Sequence, residues 1–449
     1  MYKEEEMVCC KRVGLFVLVV ALAFSLSTSL LFGGGEKAED AGGVEEVALT
    51  VLFGDTPDVT LLEDNIDSFY AQYPNIKVDL TYLSHKEMVE KVSMELATGS
   101  STYDIVYIDN FSLPQLAAAG WLEPQDKYIE KSGFDLSDFG EGFVKGLSYD
   151  GEIYSPPYYA ETLVYFFRKD LFDEYGISKV PDTYEDMRDI AKKLHLDTDG
   201  DGTVDVYGMV MRGDKFYGYV CYTFAAVLKG YGSDWFDDDW NVTFNNADGI
   251  EAATMWADMM RNYAPPGVAT YGWHEALADF NQGRAAQYID ASPFGPRMID
   301  PNESAVVGKV GYSVALAGPV QRAPGMYTLG FGINVYSKQK EAAWKFVEWC
   351  MSPEINKLVS NPSRFSTLKL PEIVEKFSFG PDGYKFLDAW VEGLKYAQSP
   401  FPPIPEWPEV GDRIGAALNK IIIGSDIKKE LDAAAQDVEE IMKEAGYIE

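Results

Sequence analysis

From Val47 onward the chain alternates between two periods. Val47 to Phe53 is an apolar run that fits a buried strand. Thr60-x-x-Glu63 forms a capping-box pattern and predicts a helix ending near Tyr73, closed by Pro74. Ile76, Val78, Leu80 and Tyr82 then alternate with polar residues, the period of a strand with one buried face. Ser84-x-x-Glu87 opens a second helix that runs to Thr98, with Gly99 at the left-handed position beyond its end. Asp104 to Asp109 is a third short strand. Strand–helix alternation of this kind requires crossover connections and predicts a largely parallel sheet.

A different regime begins at Ser155. Two prolines, Pro156 and Pro157, precede an extended β-prone run from Tyr158 to Asp170 that a single acid, Glu161, interrupts. A carboxylate in so apolar a stretch must be hydrogen-bonded or face a cavity, because burying it alone is costly. From Thr183 helices and strands alternate again up to a helix starting near Lys338. The rest, through Glu449, is mostly helical, broken by Pro362, Pro371 and the Pro400–Pro408 stretch.

Ligands of open α/β sheets sit at the carboxyl ends of the strands. That rule singles out Asp55 after the first strand, and Asp109 with Phe111 at the end of the third; the competing reading of each acid is a helix cap or a solvated loop residue.

Composition narrows the function. A chain of 449 residues exceeds what one core organises, so two domains are expected. A formal net charge of −33 argues against nucleic acid or an anionic membrane surface as partner. Three scattered histidines (His85, His195, His274) leave little for a His-rich metal site. Cys221 and Cys350 are either one disulfide or two buried thiols; Cys9 and Cys10 precede the apolar N-terminal run. Lys11 and Arg12, the apolar stretch from Val13 to Phe32 and Gly33-Gly34-Gly35 have the layout of an export signal, either cleaved or kept as an anchor. Residues 1–43 are therefore read as signal or anchor plus linker, and the protein as exported, periplasmic or at the cell surface.

One acidic segment stands apart. Asp197, Asp199, Asp201, Thr203 (through its carbonyl) and Asp205, with Gly202 at the sixth position, match the spacing of a calcium loop, but Gly208 stands where a bidentate Glu is required. The segment reads either as a structural Ca2+ site completed by a remote acid or as a plain Asp/Gly turn. No other cofactor is expected.

Four stretches in order carry a family resemblance. Pro157-x-Tyr159-x-Glu161 with its aromatic strand and Arg168-Lys169-Asp170-Leu171 resembles the interlobe strand of the family 1 extracellular solute-binding proteins, which include the maltose and trehalose/maltose receptors of ABC importers. Asp104–Leu122 resembles that family's strand, Asp–aromatic pair and following helix. Trp273–Phe294 resembles its helix, F-x-x-G turn, strand and aromatic loop, and Leu329–Cys350 its returning strand and helix.

The resemblance implies an α/β, two-lobe, type II periplasmic-binding-protein fold with a ligand cleft between lobes joined by hinge strands. The first lobe would hold residues 44–154 and 315–337, the second 155–314 and 338–449. It implies a non-enzymatic monomeric receptor that delivers a neutral mono- or oligosaccharide to the permease subunits of an ABC importer. Sugars need acids and arginine for their hydroxyls and flat rings for their C–H faces. Asp55, Asp109, Glu161 and Asp290 would accept hydroxyl protons and Arg364 would donate. Phe111, Tyr159, Trp273, Phe294, Phe331 and Trp407 would stack, Trp407 from a proline-flanked loop; core packing is the competing reading of these rings. Phe294 and Phe331 stand where many family members carry Trp. The competing function is a secreted or surface-anchored glycoside hydrolase with paired carboxylates. P-loop, G-x-S-x-G and H-E-x-x-H signatures are absent from the sequence.

Overall fold

A computed structural model describes residues 46–54, 57–359 and 362–449, with the side chains of 57–60 outside that description. The expected signal or anchor, Cys9, Cys10 and the candidate Asp55 lie outside the described residues. Among the described residues no helix is long and apolar enough to cross a membrane.

The strands are β1 (Val47–Gly54), β2 (Ile76–Leu83), β3 (Ile105–Asp109), β4 (Leu122–Glu123), β5 (Ser148–Tyr149), β6 (Glu152–Ile153), β7 (Tyr159–Arg168), β8 (Gln287–Ala291), β9 (Val310–Val314) and β10 (Met326–Asn334). β5 and β6 form a small hairpin, and the others run in the order β2-β1-β3-β10-β7-β8, with β4 beside β10 and β9 beside β7. β1 pairs with β2 and β3 in parallel, joined by helices Pro57–Gln72 and His85–Ala97, as strand–helix alternation predicts. The first of these helices starts at Pro57, so Thr60 stands inside its first turn and not at its cap. The second is capped as expected: the Glu87 carboxylate accepts from the Ser84 amide at 3.3 Å, and Gly99 follows with φ +69°.

The expectation of a largely parallel sheet stops at β3. β10 returns from far along the chain and pairs antiparallel with both β3 and β7. β7 is buried at all ten positions. Its first residues, Tyr159 to Thr162, pair with β10, while Leu163 to Phe167 pair with β8 on one edge and Val164 to Arg168 with β9 on the other. One strand thus belongs to two sheets, β2-β1-β3-β10 and β8-β7-β9.

Helix Lys340–Cys350 packs on β1, β10 and helix Pro57–Gln72, with the Phe346 ring edge-on to Phe69 at 5.4 Å and Trp349 Nε1 donating to Ser68 Oγ at 3.0 Å. This corrects the expected assignment of everything after Lys338 to the second lobe. The helix buries Ala343, Phe346, Val347 and Cys350 on one face, and that face covers the first sheet. Helix Phe386–Leu394 packs on β7 and β9, and helix Trp407–Ile422 on helices Val220–Gly230 and Ile427–Glu444. Cys221 and Cys350 are buried free thiols on separate helices, so the disulfide alternative is not formed.

The approach of β10 to the segment ahead of β7 requires glycine. The Phe331 amide donates to Ser155 Oγ at 2.9 Å, and a Cβ on Gly330 would stand 2.2 Å from that oxygen and 2.9 Å from the Pro156 carbonyl. Gly330→Ala is expected to destabilise the protein by about 1–3 kcal/mol, the cost of overpacking a filled core. A denaturant midpoint equal to that of the wild type would show that the two segments part without cost.

Candidate functional site

The second half of the cleft sequence is organised around one strand. Along β7 side chains alternate between faces, so Tyr159 and Glu161 share one, and both line a cavity of about 110 Å³. Gly54 at the end of β1, His85 at the start of the helix after β2, Tyr107 on β3, Phe111 just beyond it, and Tyr327 and Leu329 on β10 close the side toward the first sheet. Arg212, Gly218, Tyr222, Trp273, Pro293, Phe294, Pro296 and Arg297 close the other. The cavity sits at the carboxyl ends of β1 and β3, where the strand-end rule points.

Glu161 is buried, and its two oxygens accept from Tyr159 Oη at 2.8 Å and Tyr222 Oη at 3.2 Å. Burial pushes its carboxyl up to about 7, against the opposing pull of Arg212 and of the Tyr159 hydroxyl. Among the described residues it is the one carboxylate that lines the cavity.

Asp109 and Asp290 hold other residues in place and do not line the cavity. Asp109 Oδ1 accepts from the Phe111 amide (3.1 Å), the Ser112 amide (2.8 Å) and Ser112 Oγ (2.7 Å). Its Oδ2 meets His85 Nε2 at 3.0 Å and accepts from Tyr327 Oη at 3.0 Å. Burial works to raise its pKa, and the bonds from His85 and Ser112 outweigh that and hold it below the usual carboxylate range. Asp290 receives Arg212 through Nε (2.9 and 3.0 Å) and Nη2, Tyr288 Oη (2.8 Å) and the Ala291 amide (2.7 Å). Burial works against the Arg212 charge, and Asp290 outweighs it, leaving the guanidinium firmly protonated. The Arg212 guanidinium lies 5.1 Å from the Tyr222 ring centre, and Nη1 reaches the Gly218 carbonyl at 3.4 Å.

Two of the expected stacking residues form one wall. Trp273 and Phe294 lie nearly parallel (19°) with centroids 5.3 Å apart, and Tyr288 continues the stack at 6.4 Å from Phe294. Phe111 packs against Phe401 at 4.5 Å and Tyr327 at 4.9 Å. The rings touch each other as much as the cavity, which makes the wall stiff.

Three further candidates are corrected along with Asp109 and Asp290, none of the five lining the cavity. Phe331 is fully buried, edge-on to Phe53 at 4.9 Å, because its β10 position faces the helix layer. Arg364 lies over the Phe139 ring at 4.5 Å, away from the cavity, drawn there by the β-bridge between Phe139 and Arg364. Trp407 opens helix Trp407–Ile422 and is fully buried, stacked on Phe401 at 4.4 Å; its flanking prolines serve a helix start, not a cleft loop.

His85, Arg212, Tyr222, Tyr327 and Arg297 were not singled out in the sequence. His85 was within reach, since it follows the capping Ser84 at the end of β2, where strand ends gather. Arg212 is a lone cation after the apolar Met209-Val210-Met211, the mirror image of the signal at Glu161. In the acidic loop, Asp197, Asp199 and Asp205 can bring ligand oxygens within 4.8 Å of one another, all exposed, while Asp201 stands outside that group. Asp197 already accepts the Gly200 and Gly202 amides at 2.7 and 2.8 Å.

The chain resembles the mannitol-binding protein of Pseudomonas aeruginosa, 26% identical over 420 residues that cover 89% of this chain and 94% of that one. Among solved structures, an ABC transporter solute-binding protein of Agrobacterium radiobacter K84 in complex with ribitol superposes with a TM-score of 0.80 at 26% identity, covering 88% of this chain and 99% of the other. One from Agrobacterium vitis S4 with bound D-mannitol gives 0.79 at 26% identity, over 89% and 99%. The fold is the two-lobe type II periplasmic-binding-protein fold, with β7 and β10 linking the sheets. The family profile described as bacterial extracellular solute-binding protein matches residues 54–357, and this chain is a member of that family.

Proposed function

We propose that this protein is an exported receptor that encloses one neutral polyhydroxylated molecule, a sugar or sugar alcohol, and hands it to the permease subunits of an ABC importer. The cavity carries the reading: Glu161 offers acceptor oxygens, Arg212 is held by Asp290 with hydrogens to spare, and rings and prolines form the rest of the wall. Mannitol and ribitol, the molecules named for the similar proteins, have that chemistry. A glycosidase needs two carboxyls flanking one bond. Here Asp290 and Asp109 are engaged by their own partners behind the cavity, which leaves Glu161 as the one carboxylate lining it among the described residues.

A thermal-shift screen with D-mannitol, ribitol and maltose, alongside aryl-glycosides followed for hydrolysis, tests the proposal. At a hundredfold excess over Kd a bound ligand stabilises by about 2.7 kcal/mol, a shift of several degrees. Release of an aryl group would overturn the receptor reading, and so would an unmoved melt with every neutral sugar and alditol tried.

The buried Glu161 predicts a pH signature of the ligand-free protein. Its carboxyl ionises at about 7 when folded and near 4.5 when exposed, so between those values the native state keeps a proton that the unfolded chain has released. The Glu161 contribution to stability then falls as pH rises through that window. Glu161→Gln is expected to remove this slope, so that the variant gains on the wild type from pH 4.5 to 7.5; parallel profiles would show that the carboxyl titrates at its ordinary value.

The acidic loop at Asp197–Asp205 is, in the same proposal, a calcium clamp on the second lobe. Removing metal with EDTA is expected to lower the Tm and calcium to restore it. A melt unchanged after verified removal leaves the loop as a plain turn.

A further inference from the structure

We infer that His85 is a specificity residue of this cavity, held by Asp109 as the Nε2–H tautomer so that Nδ1 presents a pure acceptor to a ligand hydroxyl. The inference deepens the reading of the cavity as a polyol site and rests on it.

The argument starts from Asp109. Its Oδ1 is taken by two backbone amides and the Ser112 hydroxyl, which leaves only Oδ2 for His85. An ionised carboxylate has no proton to give, so across the 3.0 Å contact the hydrogen must sit on His85 Nε2. Tyr327 Oη, 3.2 Å from Nε2, directs its own hydrogen to the same Oδ2 at 3.0 Å and does not compete for that role. In the neutral ring Nδ1 is then an acceptor. His85 lines the cavity with its side chain only 18% exposed, and among the described residues Nδ1 has no hydrogen-bond partner. The ring cannot swing away: Phe216 and Tyr327 meet it edge-on, each with centroids 6.0 Å distant.

Arg212 forms the opposite pole. Asp290 fixes it as Asp109 fixes His85, but a guanidinium only donates. The cavity therefore asks its ligand for a hydrogen at one end and a lone pair at the other. A hydroxyl supplies either, whereas a methyl or an ammonium fails at one pole.

Asp109→Asn reverses the tautomer by construction. Two backbone N–H groups already point at the Oδ1 position, so the amide oxygen must stay there and the NH2 group must face His85. Nε2 becomes the acceptor, the proton moves to Nδ1, and the cavity meets a donor. With three histidines in the chain, 15N NMR of the ligand-free protein resolves His85 by comparison with His85→Gln. The expected result is an unprotonated Nδ1 in the wild type and a protonated Nδ1 in Asp109→Asn. A proton on Nδ1 in the wild type, as the other tautomer or the imidazolium, overturns the inference.

His85→Gln covers the case in which Asp109→Asn does not fold, because glutamine keeps an N–H donor for Asp109 while its one acceptor, Oε1, sits on the same amide carbon and does not reproduce the Nδ1 position. With D-mannitol as probe, its affinity is expected to drop on the order of 10- to 100-fold, the effect of one lost hydrogen bond in a closed site. Wild-type affinity in His85→Gln overturns the inference. A wild type that binds no alditol or sugar sinks the receptor reading instead, and the tautomer measured without ligand still decides this one.

Discussion

A strand buried along its whole length can persist only if its backbone is hydrogen-bonded throughout. β7 meets that requirement by changing partners midway, from β10 to β8 and β9. The rest of the molecule follows from that change. It joins two sheets through one continuous segment, fixes where their edges converge, and places Tyr159 and Glu161 at the junction, where neither sheet alone could enclose them. Gly330 and Ser155 let β10 approach the same junction from the other side.

The cavity built there follows one rule on both sides. The charged side chains at the back are saturated, and the groups they hold face the cavity: Asp109 behind His85 and Tyr327, Asp290 behind Arg212. A buried ion pair contributes little net stability, but it fixes orientation, and orientation is what a binding site needs. Glu161 is the exception. Its partners are two tyrosine hydroxyls, with Arg212 near but not bonded, so its charge is incompletely compensated. A ligand hydroxyl that completes its shell would repay part of that deficit, so the group least satisfied in the free protein is the one with most to gain on binding.

The aromatic residues divide along similar lines. Trp273, Phe294 and Tyr288 stack into a wall whose members brace one another, while Phe331 and Trp407 lie wholly inside. A ring at a strand end and a ring one layer deeper differ in sequence by nothing that hydropathy registers. Which rings reach the cavity is decided by strand facing and by which helix covers which sheet.

Periodicity and capping in the amino-acid sequence determined the β1–β3 unit, the helix from Ser84 and the long buried strand carrying Glu161. These signals are local, set within a few residues by side-chain alternation and backbone valence. The strand-end rule likewise pointed to Phe111 and the buried acid rule to Glu161, both of which line the cavity, whereas Asp109 accepts the Phe111 and Ser112 amides behind it. Tertiary structure alone decided that β10 runs antiparallel through the centre, that helix Lys340–Cys350 returns to the first sheet, that Arg364 settles on Phe139, and that Arg212 and His85 line the cavity while Asp290 and Asp109 stand behind them. Each of those outcomes depends on pairing between segments more than a hundred residues apart or on competition for one carboxylate. No local pattern records which partner wins, because the choice is made by packing and by the demand that every buried charge be paired.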